Sequence, residues 1–182
     1  MKVYIASMFS DKDRVKARAD ELKALGIECT SRWSSETVPH TSTMKDLPTA
    51  YHEETAVADV DDILASDRMV LSVPEAQLLV DAPVASAARG GRHFESGLFY
   101  GLILAQMLDG GRPTRELIVL GKRENVFHYL SGSGLTERYP AIRIIETWEE
   151  VKGYLHAQDV QEKSIRYSVI GGEHASTFTV GR

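Results

Sequence analysis

A chain of 182 residues is long enough for one domain with a full core, and its formal charge of −5, with acids and bases interspersed, disfavours a nucleic-acid-backbone binder, which needs a basic stripe. The single cysteine, Cys29, excludes an intramolecular disulfide framework, and no CxxC or Cys/His cluster with zinc spacing is present. With an N-terminus that enters an apolar strand pattern directly and no apolar stretch long enough to span a bilayer, the expectation is a soluble, cytoplasmic protein of a reducing compartment.

In chain order, residues 2–6 (KVYIA) predict a short strand, and residues 10–25 carry Val15, Ala19, Leu22 and Leu25 at helical spacing, closed by Gly26. Residues 27–33 read as a second strand, and the Ser-, Thr-, Pro- and His-containing stretch 34–44 suits a mobile flap. Ala56, Val57, Val60, Ile63 and Leu64 then mark a long helix that ends by Asp67, before a buried strand over 69–73 (MVLSV). Residues 74–91 are loop-like apart from the apolar patch 78–80, a helix is predicted over 92–108, and 117–120 form another buried strand. Residues 142–145 and 148–155 supply a last strand and helix.

Five strands alternating with helices predict an α/β fold: a doubly wound, flavodoxin-like or Rossmann-like, parallel five-stranded sheet with helices on both faces. Its ligands sit beyond the carboxyl ends of the strands, which gathers the loops after Ala6, Trp33, Val73 and Leu120 around one crevice. The expected organisation is an α/β domain over residues 1–156 and an appendage over 157–182. That appendage, containing RYSVIGG and STFTVGR, is open to three readings: a small hairpin, a tail reaching a neighbouring subunit, or a partly disordered end.

The sharpest local anomaly is Glu95, the only carboxylate between Phe94 and Met107 in a helix otherwise apolar on nearly every side. A carboxylate there is either a satisfied structural acid or a catalytic one. Near the helix N-terminus, free N–H groups and the dipole favour its ionised form, and Gly90 and Gly91 let backbone approach a ligand closely. An ordinary capping glutamate is the plainer reading. A catalytic carboxylate would need a second acid–base group, and Asp59 is the best candidate, three residues after Ala56 and four before Ile63 at the edge of the apolar face. Asp61 and Asp62 lack that placement as clearly, and the whole DVDD cluster also reads as a solvated face. Tyr4, inside the first strand, either hydrogen-bonds Glu95 or is a core tyrosine with a satisfied hydroxyl. Met8 and Phe9 either stack on a base or cover the core.

Four strings in order, KVYIASMFSD, ADVDDILASD before MVLSV, GGRHFESG and RENVFHYL, together resemble the nucleoside 2-deoxyribosyltransferase family and its nucleotide N-hydrolase relatives over residues 2–130. The resemblance implies that Glu95 is the nucleophile, Asp59 the acidic partner from the preceding helix, Tyr4 the phenol that orients the nucleophile, and Phe9 the loop aromatic. It places the family's asparagine, which reaches a neighbouring subunit's sugar, on Asn125, and so implies a homo-oligomer, a dimer or higher, with shared sites. Where the transferases carry a base-contacting aspartate and several hydrolases a phosphate-binding serine, this chain has Arg89, so neither subclass is matched. Arg89, Arg92 and His93 beside Gly91 form an anion site for a 5'-phosphate or are solvent-exposed loop charges, and Ser86 is a fallback phosphate contact. The implied activity is double displacement on a deoxynucleoside or its 5'-phosphate and a free base, needing no metal or redox cofactor, with transfer ranked ahead of hydrolysis. A non-catalytic nucleotide-binding module is the rival of another class.

Overall fold

In a computed structural model of the chain, structure is described for residues 1–35, 47–72, 90–123, 126–131, 139–140 and 142–173. The elements alternate as predicted: β1 (Lys2–Ala6), α1 (Lys12–Ala24), β2 (Glu28–Cys29), α2 (Thr49–Ala65), β3 (Arg68–Ser72), α3 (Gly90–Leu108), β4 (Glu116–Leu120), β5 (Arg143–Ile145) and α4 (Trp148–Glu173). Short 3-10 turns lie at Phe9–Asp11, Arg32–Ser35 and Val126–Ser131. The five strands form one all-parallel sheet in the order β2-β1-β3-β4-β5, the flavodoxin-like member of the two doubly wound orders.

The central strands are apolar almost without interruption because helices cover both faces. Val3 to Ala6 have no exposed surface, and neither have Met69, Val70, Leu71, Ile118 and Val119. Register aligns Tyr4 with Met69 and Met69 with Leu117, so these three share the face under α2 and α3, while Ile5, Val70 and Ile118 share the other. On that second side α1 meets α4 where Arg18 stacks over the Trp148 ring at 4.9 Å. The first helix stops where the sequence says it should. Gly26 takes φ +75°, and the N–H groups of Gly26 and Ile27 return to the carbonyls of Lys23 and Leu22 at 3.0 Å each.

Two expectations are corrected. The second strand does not run from 27 to 33: only Glu28 and Cys29 pair, and the chain then turns inward. The reason is a side chain that imitates the ladder. Ser31 Oγ accepts from the Ile5 N–H at 2.6 Å and donates to the Ile5 carbonyl at 3.2 Å, and Trp33 Nε1 donates to that same carbonyl at 3.2 Å. Nor does residue 157 begin a hairpin, because α4 runs unbroken to Glu173 and takes RYSVIGG with it. Its inward face, buried at Val151 and Leu155, continues with charged groups: Asp159, 2% exposed, accepts from the Met1 nitrogen at 3.0 Å, and Glu162 accepts from Arg68 at 2.8 Å. STFTVGR lies outside the described residues, as do the flap from residue 36 to 44 and the patch 78–80. Among the described residues no helix is long and apolar enough to cross a membrane.

The carboxylates of α2 separate by depth. Asp62, 6% exposed, accepts from the Arg32 N–H at 3.0 Å and from Arg32 Nε at 2.7 Å, pinning the turn after β2 onto α2. Asp61 is exposed. Asp62→Ala is therefore expected to cost about 2–3 kcal/mol, the value of hydrogen bonds to a charged group, against less than about 0.5 kcal/mol for Asp61→Ala. Urea unfolding of the two variants measures the difference, and equal losses would refute this division of roles.

Candidate active site

The chain winds outward from β1 to β2 and then crosses to β3 on the other side, so a crevice opens at the carboxyl ends of β1 and β3 where the winding reverses. Tyr4 points up from β1 beneath it, wholly buried, and a buried phenol needs a partner. The partner is Glu95 on α3: Tyr4 OH donates to Glu95 Oε1 at 3.2 Å across 91 residues of sequence. The other oxygen, Oε2, is buried and has no hydrogen-bond partner among the described residues. Asp59, half-buried on α2, completes the group electrostatically, raising the proton affinity of both Tyr4 and Glu95.

Electrostatics here departs from the sequence expectation. The helix begins at Gly90, so Glu95 sits in its second turn, beyond the free N–H groups of the first. Loss of hydration, followed by the like charge of Asp59, pushes its carboxyl up to about 7, against the lowering pull of the Tyr4 bond. Near neutrality Glu95 is thus divided between acid and carboxylate. Burial, then Glu95 and Asp59, raises the Tyr4 phenol well above its ordinary range, so it remains a donor throughout.

At the crevice rim the loop after β1 is tied to the end of β3. Ser7 Oγ donates to Asp11 at 3.0 Å and to the Ser72 carbonyl at 3.4 Å, and Arg18 donates to Ser72 Oγ at 2.7 Å. These ties were not singled out from the sequence, where Ser7 and Ser72 stand at strand ends without any motif to mark them. Phe9 follows, 40% exposed, tilted against Trp33 with ring centroids 6.4 Å apart and with the Lys12 ammonium 5.5 Å from its centroid. Met8 is half-buried in extended conformation before it.

Tyr4, Glu95 and Asp59 are brought together, with Met8 and Phe9 on the loop that leaves β1. Gly91 is open, with nothing within 4 Å of where a Cβ would stand. Arg92, one turn before Glu95, is 2% exposed, which is not the solvent-exposed alternative. His93 lies about 200° around the helix from Glu95 and lines a separate cavity with His128. Ser86, Arg89 and Asn125 lie outside the described residues. Among the described residues no group of three or more His, Cys, Asp or Glu is placed to hold a metal ion.

Fold and site define a class: an α/β protein of flavodoxin-like strand order with a phenol–carboxylate pair and a second acid at its winding reversal. No protein-family description and no curated protein matches the sequence. Solved structures similar to the chain include a conserved protein from Enterococcus faecalis V583, at 15% identity and TM-score 0.47 over 84% of this chain and 95% of that one. Another is a 2-deoxyribosyltransferase from Bacillus psychrosaccharolyticus, at 16% identity and TM-score 0.48 over 84% and 90%. A third is a CMP N-glycosidase from Clostridium botulinum, at 16% and 0.44 over 85% and 98%. Similarity at this level carries no function from those proteins to this chain.

The raised carboxyl makes a prediction independent of any reaction. An exposed glutamate titrates near about 4.3, so folding draws a proton onto Glu95 between that value and about 7. Its stabilising share is complete below the unfolded value and is lost as pH rises through the folded one. Glu95→Gln, which cannot ionise, is expected to be more stable than the parent at pH 8 by roughly 1–3 kcal/mol, and to match it near pH 4. Urea unfolding at both pH values tests this, and a variant less stable at pH 8 would show that the carboxyl is not held high.

Proposed function

We propose that this protein cleaves the N-glycosidic bond of a 2'-deoxynucleoside or its 5'-phosphate and passes the sugar to an acceptor, with Glu95 as nucleophile. The observation that carries the reading is the Tyr4–Glu95 bond: one carboxylate oxygen is held at 3.2 Å while the other has no partner among the described residues. That is the arrangement a positioned nucleophile needs. The bond joins two of the four strings on which the family resemblance rests.

In the first step a Glu95 oxygen attacks C1' through an oxocarbenium-like transition state, and the C1'–N bond breaks with its electron pair passing to the base. Asp59, directly or through water, assists protonation of the departing base, the proton coming from solvent. Tyr4 is a positioning residue: it fixes the carboxylate rotamer and, by donating to the charged form, keeps Glu95 more acidic than burial alone would leave it. In the second step another base attacks C1', gives up its N–H proton to solvent by way of Asp59, and expels Glu95 as a carboxylate, giving a new nucleoside. Water in that role gives free sugar, the hydrolytic alternative. Arg92, buried one turn before Glu95, is the described candidate for a 5'-phosphate contact, with Arg89 and Ser86 proposed on the segment before α3 and Asn125 proposed to reach a neighbouring copy.

Incubation with deoxynucleosides and their 5'-phosphates, with and without a free acceptor base, tests the reading. Base release is expected to rise with pH as Glu95 ionises through about 7, and Glu95→Ala to lower it by roughly a thousandfold or more. A 2-fluoro-arabinosyl analogue should add its sugar to the intact mass of the parent protein and not to that of Glu95→Ala. Free sugar as the sole product would replace transfer by hydrolysis, and ligand binding without turnover or adduct would favour a binding module.

Tyr4→Phe separates positioning from packing. Because the phenol lowers the Glu95 carboxyl, its loss should move the ascending limb of the kcat/KM profile to higher pH and reduce the plateau about tenfold or more. A uniform loss at every pH, with the limb unmoved, would leave Tyr4 a core residue only.

A further inference from the structure

Ser72 closes β3 at the crevice and is bonded on two sides. Alternation along the strand puts its side chain with Val70 on the face under α1 and α4, opposite the face on which Tyr4 meets Glu95. There its hydroxyl, buried without exposed surface, accepts from Arg18 Nη1 of α1 at 2.7 Å, a charge-assisted bond. Its carbonyl accepts from Ser7 Oγ at 3.4 Å. The Arg18 guanidinium also lies over the Trp148 ring at 4.9 Å, and the Trp148 indole donates to Glu21 of α1 at 2.9 Å. Two helices thus hold the guanidinium and present it to the end of the strand.

Ser7 is the other end of the connection. It follows β1 directly, and its hydroxyl donates also to Asp11 at 3.0 Å, while the Asp11 N–H returns to the Met8 carbonyl at 2.9 Å. Arg14 Nη2 donates to the same Asp11 oxygen at 2.7 Å. Residues 7–11 therefore form a loop closed on itself, with Met8 and Phe9 between its ends and the Phe9 ring tilted against Trp33, whose indole is anchored on the Ile5 carbonyl. A closed loop moves as a unit, so the bond from Ser7 to Ser72 sets where Phe9 stands relative to β3. At 3.4 Å that bond is near the limit of a hydrogen bond, and a small displacement of Ser72 breaks it. The much shorter bond to Arg18 keeps Ser72 within reach.

We propose that Arg18, on the far side of the sheet from Glu95, is a positioning residue of the crevice: through Ser72 and Ser7 it sets the loop that carries Phe9, and so decides how firmly the base of the substrate is held. It leaves the reactivity of Glu95 unaltered, because the Tyr4–Glu95 pair belongs to the other face. The proposal rests on the reading of the crevice as an N-glycosidic site.

Two variants cut the same bond from opposite ends. Arg18→Met keeps an unbranched side chain able to lie on Trp148, and Ser72→Ala removes only a hydroxyl. Each is expected to raise KM for the deoxynucleoside or its 5'-phosphate about tenfold, to hold kcat within about twofold, and to leave the ascending limb of the pH profile where the parent has it. The double variant should be no worse than either single one, since both remove one interaction. The Phe9 backbone amide and the Trp33 indole N–H signals should shift in both variants, with or without substrate. A lowered melting temperature with KM unchanged would make Arg18 a brace between helices and overturn the proposal. So would a displaced pH limb, additive losses in the double variant, or unmoved Phe9 and Trp33 signals. A parent that releases no base from any deoxynucleoside or deoxynucleotide would refute the N-glycosidic reading itself, and the Phe9 and Trp33 signals would then decide alone whether Arg18 sets the loop.

Discussion

Everything in the site is measured from β1, a strand paired on both edges and covered on both faces. Its four residues from Val3 to Ala6 have no contact with solvent. An apolar side chain there asks only for volume, whereas Tyr4 brings a hydroxyl that must be bonded or cost stability. The sheet cannot supply the bond, because its backbone groups are spent on the ladders. The partner therefore has to come from a helix lying over the strand, and Glu95 of α3 is in reach only because the sheet order sets β1 beside β3, whose crossover leads into α3.

That bond has an electrostatic consequence. Burial and Asp59 both oppose charge on Glu95, and Tyr4 favours it, so the carboxyl settles at about 7 instead of the ordinary range. A structural acid would be expected to gather more donors and fall below its usual value. Glu95 has one, the Tyr4 hydroxyl, among the described residues, and its second oxygen is left over in a site of low hydration. Destabilisation of this kind persists where a group serves something other than folding.

The same helix works in two directions. One side of α3 turns Glu95 and Phe99 toward the sheet under the crevice, and another turns His93, Ser96, Gly97 and Tyr100 toward the cavity above β4 and β5. This explains why α3 reads as apolar on nearly every side, which by itself suggests a helix surrounded by protein. Its glycines and its exposed Phe94 and Leu108 make clear that part of its girth is not packed in the single chain.

The sequence alone determined the alternation of five strands and their helices, because fully buried parallel strands must be apolar runs and covering helices must keep their period. It also selected Tyr4, Asp59 and Glu95, the last because a lone carboxylate in an apolar helix is conspicuous without coordinates. It did not reveal that Ser31 would replace the end of β2, since a serine hydroxyl mimics a backbone ladder only when a particular strand lies beside it. It preferred Asp59 to Asp62 by placement, but it did not reveal that Asp62, less than one helical turn away, would be buried as the anchor of Arg32. The strand order and the proton affinity of Glu95 are sums over neighbours distant in sequence. Local propensity fixes which elements form, and only their packing fixes what surrounds a charge.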